Sequence, residues 1–357
     1  MNQKELDNAF QFVVAAVKSA SGNESSLVEF NQTKSHMELS AHYNAFDISF
    51  KIASKAEPWK SPITVDASLL PKAFKGDAKS EIELTTNQNT SVLFVKKKGF
   101  SASYNAVSMD FAKSDAVRKY TDVSSTLSVL ATSIKALSSI KNLIDYSKYI
   151  RVMSDGKTIA CGTGDNYHLT FVAEKKKAEV LDYCIPLELA RLIATKDIET
   201  LGISTGHLKA EGPNVRIETN LVAPDKVIDL IKAKEIIQAT EEAHFSINAS
   251  DTLILLQNLN INAAKTVILS FFKDKKPTIA VKSPDFEAKA QLPGESRTCS
   301  FESIKIELNS KNFAECLSAF DKGSRVTFKA LPNAISISSE DSRFNGLLVA
   351  NKFDRSK

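Results

Sequence analysis

The sequence predicts an α+β protein assembled from one small unit used six times, each a strand, a short amphipathic helix and two or three further strands. Three observations predict it. Alternating apolar residues mark short strands along the whole chain, helical apolar spacing returns at near-constant intervals, and the order of elements is the same each time. A unit of about one sixth of 357 residues cannot bury its apolar face alone, so copies must pack together and shape carries function.

The first copy spans Leu6 to Phe50 and the second Ile63 to Tyr104. In the second, Leu69, Leu70, Ala73 and Phe74 give a helix an apolar face after Asp66, while Pro71 predicts a kink or a later start. Glu81–Leu84 and Ser91–Val95 follow as strands. The third begins at Leu127, with Ile134, Leu137 and Ile140 on its helix and strands at Tyr149–Met153, Thr158–Cys161 and His168–Val172. The fourth begins at Tyr183, with helix residues Leu189, Leu192 and Ile193 and strands near Leu201, Leu208 and Val215–Glu218. In the fifth, Phe245–Ile247 precedes Ser250, read as the cap of a helix with Leu253, Leu256, Gln257 and Leu259. Strands near Val267–Phe272, Thr278–Val281 and Phe286–Ala290 complete it.

The sixth copy is the sharpest. Ile304–Leu308 alternates with period two, Asn309 or Ser310 caps a helix, and Phe313, Cys316, Leu317 and Phe320 share one side of it. Strands Arg325–Lys329 and Ala334–Ser338 are joined through Leu331-Pro332-Asn333, and Phe344–Phe353 is read as one closing strand. Pairing the copies predicts three domains, 1–120, 121–240 and 241–357. The junction Val117–Thr126 is polar, and Lys232–Ala243 suits a short linker helix.

Hydrophobic residues make up 43% and charged residues 25% of the chain, which places it among globular proteins. No charged segment leads an apolar core and no apolar run approaches 18 residues, which predicts neither secretion nor a membrane partner. The expected location is cytoplasmic. Cys161, Cys184, Cys299 and Cys316 lack paired spacing and read as reduced, mostly buried thiols.

Catalytic patterns are missing. Cys161-Gly-Thr-Gly-Asp165 lacks the spacing and the Lys-Ser/Thr ending of a phosphate loop and reads as a hairpin turn. His36, His42, His168, His207 and His244 are dispersed, so neither a metal nor another cofactor is expected, and the chain reads as no enzyme.

The stretch Leu308-Asn309-Ser310-Lys311-Asn312-Phe313-Ala314-Glu315-Cys316-Leu317, followed by Arg325-Val326-Thr327-Phe328, resembles a bacterial-type DNA sliding clamp, of bacterial or phage origin. It has an alternating strand, Asn at the helix start, an aromatic four positions on and a charged-apolar strand. The likeness in element order covers essentially the whole chain. It implies three similar domains per subunit and a head-to-tail homodimeric ring with inner helices and outer antiparallel sheets. Its implied partners are double-stranded DNA, a DNA polymerase and a clamp-loader ATPase, and its role is processivity in DNA replication. A non-catalytic structural or interaction module that shares the repeat without encircling DNA is the alternative.

The family holds partner peptides, anchored by Gln, Leu and Phe, between its second and third domains. The resemblance carries this role to Leu347, Leu348, Val349 and Ala350, followed by Asn351, with Leu221, Val222, Pro224, Ile228 and Leu230 as the facing wall. Leu347 and Val349 equally suit the core of a last strand. The chain departs from the family at Val349-Ala350, where Met-Pro is common, and in four further residues, Asp354–Lys357. Its net charge of +4 also contrasts with the usual acidic balance. Lys18, Lys72, Lys75, Lys135, Lys141, Arg191, Lys196, Lys311 and Lys322 lie on or beside the predicted helices and are the candidates for non-specific phosphate contact. Lys96–Lys98 and Lys175–Lys177 form local basic patches at turns or strand ends.

Overall fold

The computed structural model describes every residue except 22–26, 44–45, 71–73, 76–79, 88–90, 108–117, 138–147, 165–166, 196, 239–240, 294–297, 322 and 357. Repeat 1 holds α1 (Gln3–Ser21), β1 (Leu27–Gln32), β2 (His36–Tyr43) and β3 (Phe46–Ala53); repeat 2 holds β4 (Ile63–Asp66), a 3-10 turn at Ala67–Leu69, β5 (Ile82–Asn87), β6 (Val92–Lys97) and β7 (Phe100–Asn105). Repeat 3 comprises β8 (Thr121–Asp122), α2 (Leu127–Leu137), β9 (Tyr149–Ser154), β10 (Thr158–Gly164) and β11 (His168–Lys175). Repeat 4 comprises β12 (Leu181–Pro186), α3 (Leu187–Ile193), β13 (Thr200–Ser204), β14 (His207–Glu211) and β15 (Val215–Asn220), and α4 (Leu230–Gln238) follows it. Repeat 5 has β16 (Ala243–Asn248), α5 (Ala249–Asn258), β17 (Thr266–Phe272), β18 (Thr278–Lys282) and β19 (Glu287–Gln291), with β20 (Thr298–Cys299) after it. Repeat 6 has β21 (Ser303–Asn309), α6 (Ser310–Ser318), β22 (Arg325–Leu331), β23 (Ala334–Ser339), β24 (Phe344–Val349) and β25 (Lys352–Ser356).

Two pairing rules organise these strands. The lead strand of one repeat joins the sheet of its neighbour: β4 pairs with β1, β8 with β13, β12 with β9, β16 with β22 and β21 with β17. Asn2, ahead of α1, completes the exchange by bridging to Glu81. The last ladder strand of a repeat then pairs antiparallel with that of the repeat three further on: β3 with β15, and β11 with β24. Residues Met1–Leu127 with Glu188–Leu221 form one compact body, and Ser128–Leu187 with Val222–Lys357 form a second. The first contains the eight-stranded sheet β4-β1-β2-β3-β15-β14-β13-β8 and the sheet β5-β6-β7. The second contains the nine-stranded sheet β12-β9-β10-β11-β24-β23-β22-β16-β20 and the sheet β19-β18-β17-β21-β25.

In the first body, Asn2 caps α1 by accepting from the Lys4 and Glu5 amides at 2.9 and 3.2 Å. Leu6, Phe10, Val13 and Val17, three and four apart, are all buried, and α1 packs on β2 and β3. Phe74 meets Phe10 edge-on at 4.9 Å. Leu70 and Phe74 are buried as the apolar face requires, whereas Leu69 in the 3-10 turn is 59% exposed. Pro71 and Ala73 lie outside the described residues.

In the second body, Asn309 caps α6 by accepting from the Asn312 amide at 3.1 Å. Phe313, Cys316 and Leu317 are buried, and Phe313 contributes to an aromatic cluster in which Phe245 stacks on Phe328 at 4.8 Å. Cys316 rests against β24 at Gly346, where a Cβ would lie 2.2 Å from the sulfur, so helix and strand meet this closely only at glycine.

The structure revises four expectations. Asn248 rather than Ser250 caps α5, accepting from the Ser250 amide at 3.0 Å. Cys161–Gly164 continues β10 rather than turning, and Asp165 lies outside the described residues. Phe344–Phe353 is two strands, because Asn351 donates to Glu307 O at 2.7 Å and redirects the chain so that β25 pairs with β21. Ile140 is outside the described residues, and the linker helix runs Leu230–Gln238 rather than over Lys232–Ala243.

Candidate interaction surfaces

The segment leading into α4 is pinned to the nine-stranded sheet by polar contacts. Arg151, on β9 and almost fully buried, binds Asp182 of β12 through Nε and Nη2 at 2.8 and 2.7 Å and donates from Nη1 to Val227 O at 2.6 Å. Hydrogen bonding to Asp182 raises the Arg151 pKa against the opposing effect of burial. The Cys184 thiol, pushed up to about 12 by burial, lies 3.6 Å from Pro224 O, and the Val222 amide donates to Cys184 O at 3.0 Å. Asp229 then caps α4, accepting from the Ile231 and Lys232 amides at 3.0 Å each.

This anchoring lays Val227, Leu230, Ala233 and Ile237 over Met153, Leu169, Phe171 and Cys184. Val222, Ile231, Leu347 and Tyr149 are only partly buried at the margin of that cluster. Tyr167, at 63% exposure, accepts from the Val349 amide at 2.9 Å, and Val349 itself is 39% exposed. Ile228, before α4, is exposed and Pro224 half-buried. Of the nine pocket candidates, Val222, Leu230 and Leu347 therefore meet in one cluster. Leu348 and Ala350 instead pack with the core containing Phe245 and Phe313, since strand alternation turns Leu348 to the other face. Leu221 belongs to the first body, where its amide donates to Gly206 O at 2.8 Å. Tyr167 and Met153 were not among the sequence candidates; an aromatic directly after the polar pair Asp165-Asn166 is the sequence signal for Tyr167.

Among the cation candidates, Lys135 on α2 and Lys311 on α6 are exposed on faces opposite their helices' buried residues. Lys135 Nζ is 4.0 Å from Asp321 Oδ1. Arg191 on α3 pairs with Glu188 at 2.5 Å. Lys75 is exposed after Phe74, and its carbonyl accepts from Lys97 Nζ at 2.9 Å. Lys18 lies in the last turns of α1, but its side chain, like Lys72, Lys141, Lys196 and Lys322 as a whole, is outside the described residues. A cleft of about 640 Å³ brings Lys135 together with Arg325 and Arg343, opposite Asp321, Glu340 and Asp341. Arg325 was missed because it opens a strand rather than sitting on a helix. Among the described residues, no three His, Cys, Asp or Glu side chains converge as metal ligands, and no helix is long and apolar enough to cross a membrane.

The arrangement of repeats, with lead strands exchanged and last strands paired, has solved counterparts. Over 99% of both chains it superposes on the DNA polymerase III subunit beta of Pseudomonas aeruginosa, with a TM-score of 0.79 and 14% identity. The chain has the sliding-clamp fold. It likewise covers 99% of the beta subunit of Streptococcus pyogenes DNA polymerase at a TM-score of 0.76 and 15% identity, and itself matches over 99%. A Pseudomonas aeruginosa sliding clamp bound to griselimycin matches at 0.80 with 13% identity, over 99% of this chain and 98% of that one. No family model and no curated protein matches the sequence. The likeness is therefore carried by backbone topology, which the exchange of lead strands preserves while side chains vary.

Proposed function

We propose that this chain is a DNA sliding clamp: a non-catalytic processivity factor that encircles duplex DNA as a homodimer and tethers the replicative polymerase. One observation carries the reading. The last ladder strands pair three repeats apart, repeat 1 with 4 and repeat 3 with 6, leaving β19 of repeat 5 and β7 of repeat 2 at the ends of their sheets. The same step taken from repeat 5 arrives at repeat 2 of a second copy, so two copies close head to tail through two β7–β19 seams.

In this reading the exchanged pairs of repeats are the three domains, 1–120, 121–240 and 241–357. The helices, with Lys135, Arg191 and Lys311, face the duplex and meet phosphates without reading bases. The apolar margin at Val222, Leu347, Val349 and Tyr167 takes partner peptides from the polymerase and from a clamp-loader ATPase, since a closed ring needs opening to admit DNA without ends. Tethering then keeps the polymerase at high effective concentration near its template. The protein would work on replicating DNA in the cytoplasm.

The test is topological. Protein loaded on a nicked circular plasmid and freed of unbound material by gel filtration is expected to stay on the circle and to be lost through the ends within minutes of linearisation. Equal retention on circular and linear DNA would overturn the reading.

A further inference from the structure

The two joins within the chain follow one path across the strands, and a third copy of that path stops at an open edge. Each path starts where the segment leaving an even repeat binds back to that repeat's lead strand. After repeat 2 the Val107 amide donates to Thr64 O at 2.9 Å, after repeat 4 Val222 donates to Cys184 O at 3.0 Å, and after repeat 6 Asn351 donates to Glu307 O at 2.7 Å. From Thr64 the directly paired residues run Glu29, Ser40, Ser49 and, across the join, Arg216. From Cys184 they run Arg151, Gly162, Phe171 and, across the join, Asn345. Arg216 stands six residues before Val222, and Asn345 six before Asn351. The two joins therefore share one register. From Glu307 the path runs Ile268, Ala280 and Lys289 of β19, where pairing ends among the described residues. Six residues before Val107, in the place that Arg216 and Asn345 take in their strands, stands Ser101 of β7.

Backbone direction and side-chain exposure agree on the same pair. At the joins the Lys51 amide donates to Asn214 O at 2.7 Å and the Ala173 amide to Arg343 O at 2.8 Å, so by alternation Ser49 and Phe171 also turn their amides to the partner strand. On β19 the Leu292 amide donates inward to Pro277 O, and beside β7 the Ala106 amide donates inward to Ser91 O. The same alternation turns the amides of Lys289 and Ser101 out of their sheets. Phe100, Ala102 and Tyr104 are each half-buried on the core side of β7, as are Phe286, Ala288 and Ala290 along β19. With Ser101 opposite Lys289, Phe100 faces Ala290, Ala102 faces Ala288 and Tyr104 faces Phe286, so each half-covered side chain meets another. A slip of two residues keeps the faces but breaks the match at both ends.

We propose that β7 of a second copy of this chain pairs antiparallel with β19 in this one register, Ser101 opposite Lys289. It rests on the clamp reading and specifies how the seam is built. Each copy makes the crossing twice internally and a third time with its partner. The core side of the seam is an apolar row in which large side chains of β7 lie over small ones of β19, and the outer side sets Ser101 and Ser103 against Lys289 and Glu287.

Oxidative cross-linking of the full-length protein tests it. In this register Ala102 and Ala288 are opposed without exchanging hydrogen bonds, about 4.5 Å apart at Cα, which a disulfide spans. Ala102 and Ala290 come out diagonal, about 7–8 Å apart, which it does not. Ala102→Cys combined with Ala288→Cys is therefore expected to give about tenfold more covalent dimer than Ala102→Cys combined with Ala290→Cys. The unsubstituted protein, with Cys161, Cys184, Cys299 and Cys316 free, is the control for other bridges. Sedimentation of the unsubstituted protein separates the two ways of failing. A dimer that gives no excess cross-link at 102 and 288, or gives it at 102 and 290 instead, overturns the register and leaves the ring reading standing. A monomer overturns both.

Discussion

Among the described residues, the last ladder strands that find partners within the chain differ from the two that do not. Residues His168–Ala173 of β11 are all buried, and β24, β3 and β15 each contain buried positions. Neither β7 nor β19 has one. The joined strands use Leu169, Phe171, Ile48 and Ile217, whereas the free ones read Phe-Ser-Ala-Ser-Tyr-Asn and Glu-Ala-Lys-Ala-Gln. Internal joins are thus fixed by apolar burial, which cannot be undone without unfolding. The free edges offer mainly backbone pairing, which can open and close. The proposed ring would need both kinds, one to hold its shape and one to admit DNA.

Two substitutions break this contrast from either side. Phe171→Ala, beneath α4 at the β11–β24 join, is expected to cost about 3–5 kcal/mol of folding stability. Denaturant unfolding followed by circular dichroism reads it, and a loss below about 1 kcal/mol would show that burial is not what fixes the join. Ser103→Pro probes the other side. The Ala106 amide points from the β7 side to Ser91 O, so by alternation the Ser103 amide points away from β6, and proline there removes an outward donor without touching the sheet's own bonds. If the proposed β7–β19 seam forms, its expected effect is about 100-fold weaker dimerisation, or about 2.7 kcal/mol, at unchanged monomer stability. Sedimentation of a dimer as tight as the unmodified one would remove β7 from the seam.

Much of this contrast was legible in the residues, and the gaps have physical causes. Repeat 6 declared its helix because Asn309 and the spacing of Phe313, Cys316 and Leu317 are local signals. The break between β24 and β25 was not, since Asn351 alone, without a Gly or Pro beside it, is a weak turn signal and the chain is redirected by a tertiary bond to Glu307. The glycines of Cys161-Gly-Thr-Gly looked like a turn. Gly162 instead serves close strand approach, as a Cβ there would come within 2.2 Å of Phe171 Cβ. At the site, Val222, Leu230 and Leu347 converge as apolar pattern suggests, but assigning Leu348 to the same wall ignored the alternation that sends it to the opposite core. The Arg151–Asp182 pair escaped notice because its partners are distant in sequence and only the β9–β12 pairing brings them together.

The exchanged lead strands form a third kind of join, in which β16 buries Phe245 and Ile247 and adds an ion pair that pH can test. Glu241, just ahead of β16, lies 3.0 Å from Lys329 of β22 and 2.6 Å from His244. Burial alone would raise its pKa, but the hydrogen bond and charge of Lys329, with His244 adding to them, outweigh burial and hold it below the ordinary 4.5. A carboxyl depressed in the folded state stabilises it above the unfolded value, and that contribution disappears as pH falls through the folded value. Below about pH 4.5 the unmodified protein should therefore lose a share of stability that Glu241→Gln lacks at every pH, with a difference under about 1 kcal/mol because the pair is partly solvated. Melting curves of both proteins between pH 7 and 3.5 measure it. Convergence of the two on acidification is expected, and parallel curves would mean that backbone pairing of β16 with β22 holds this join without the ion pair.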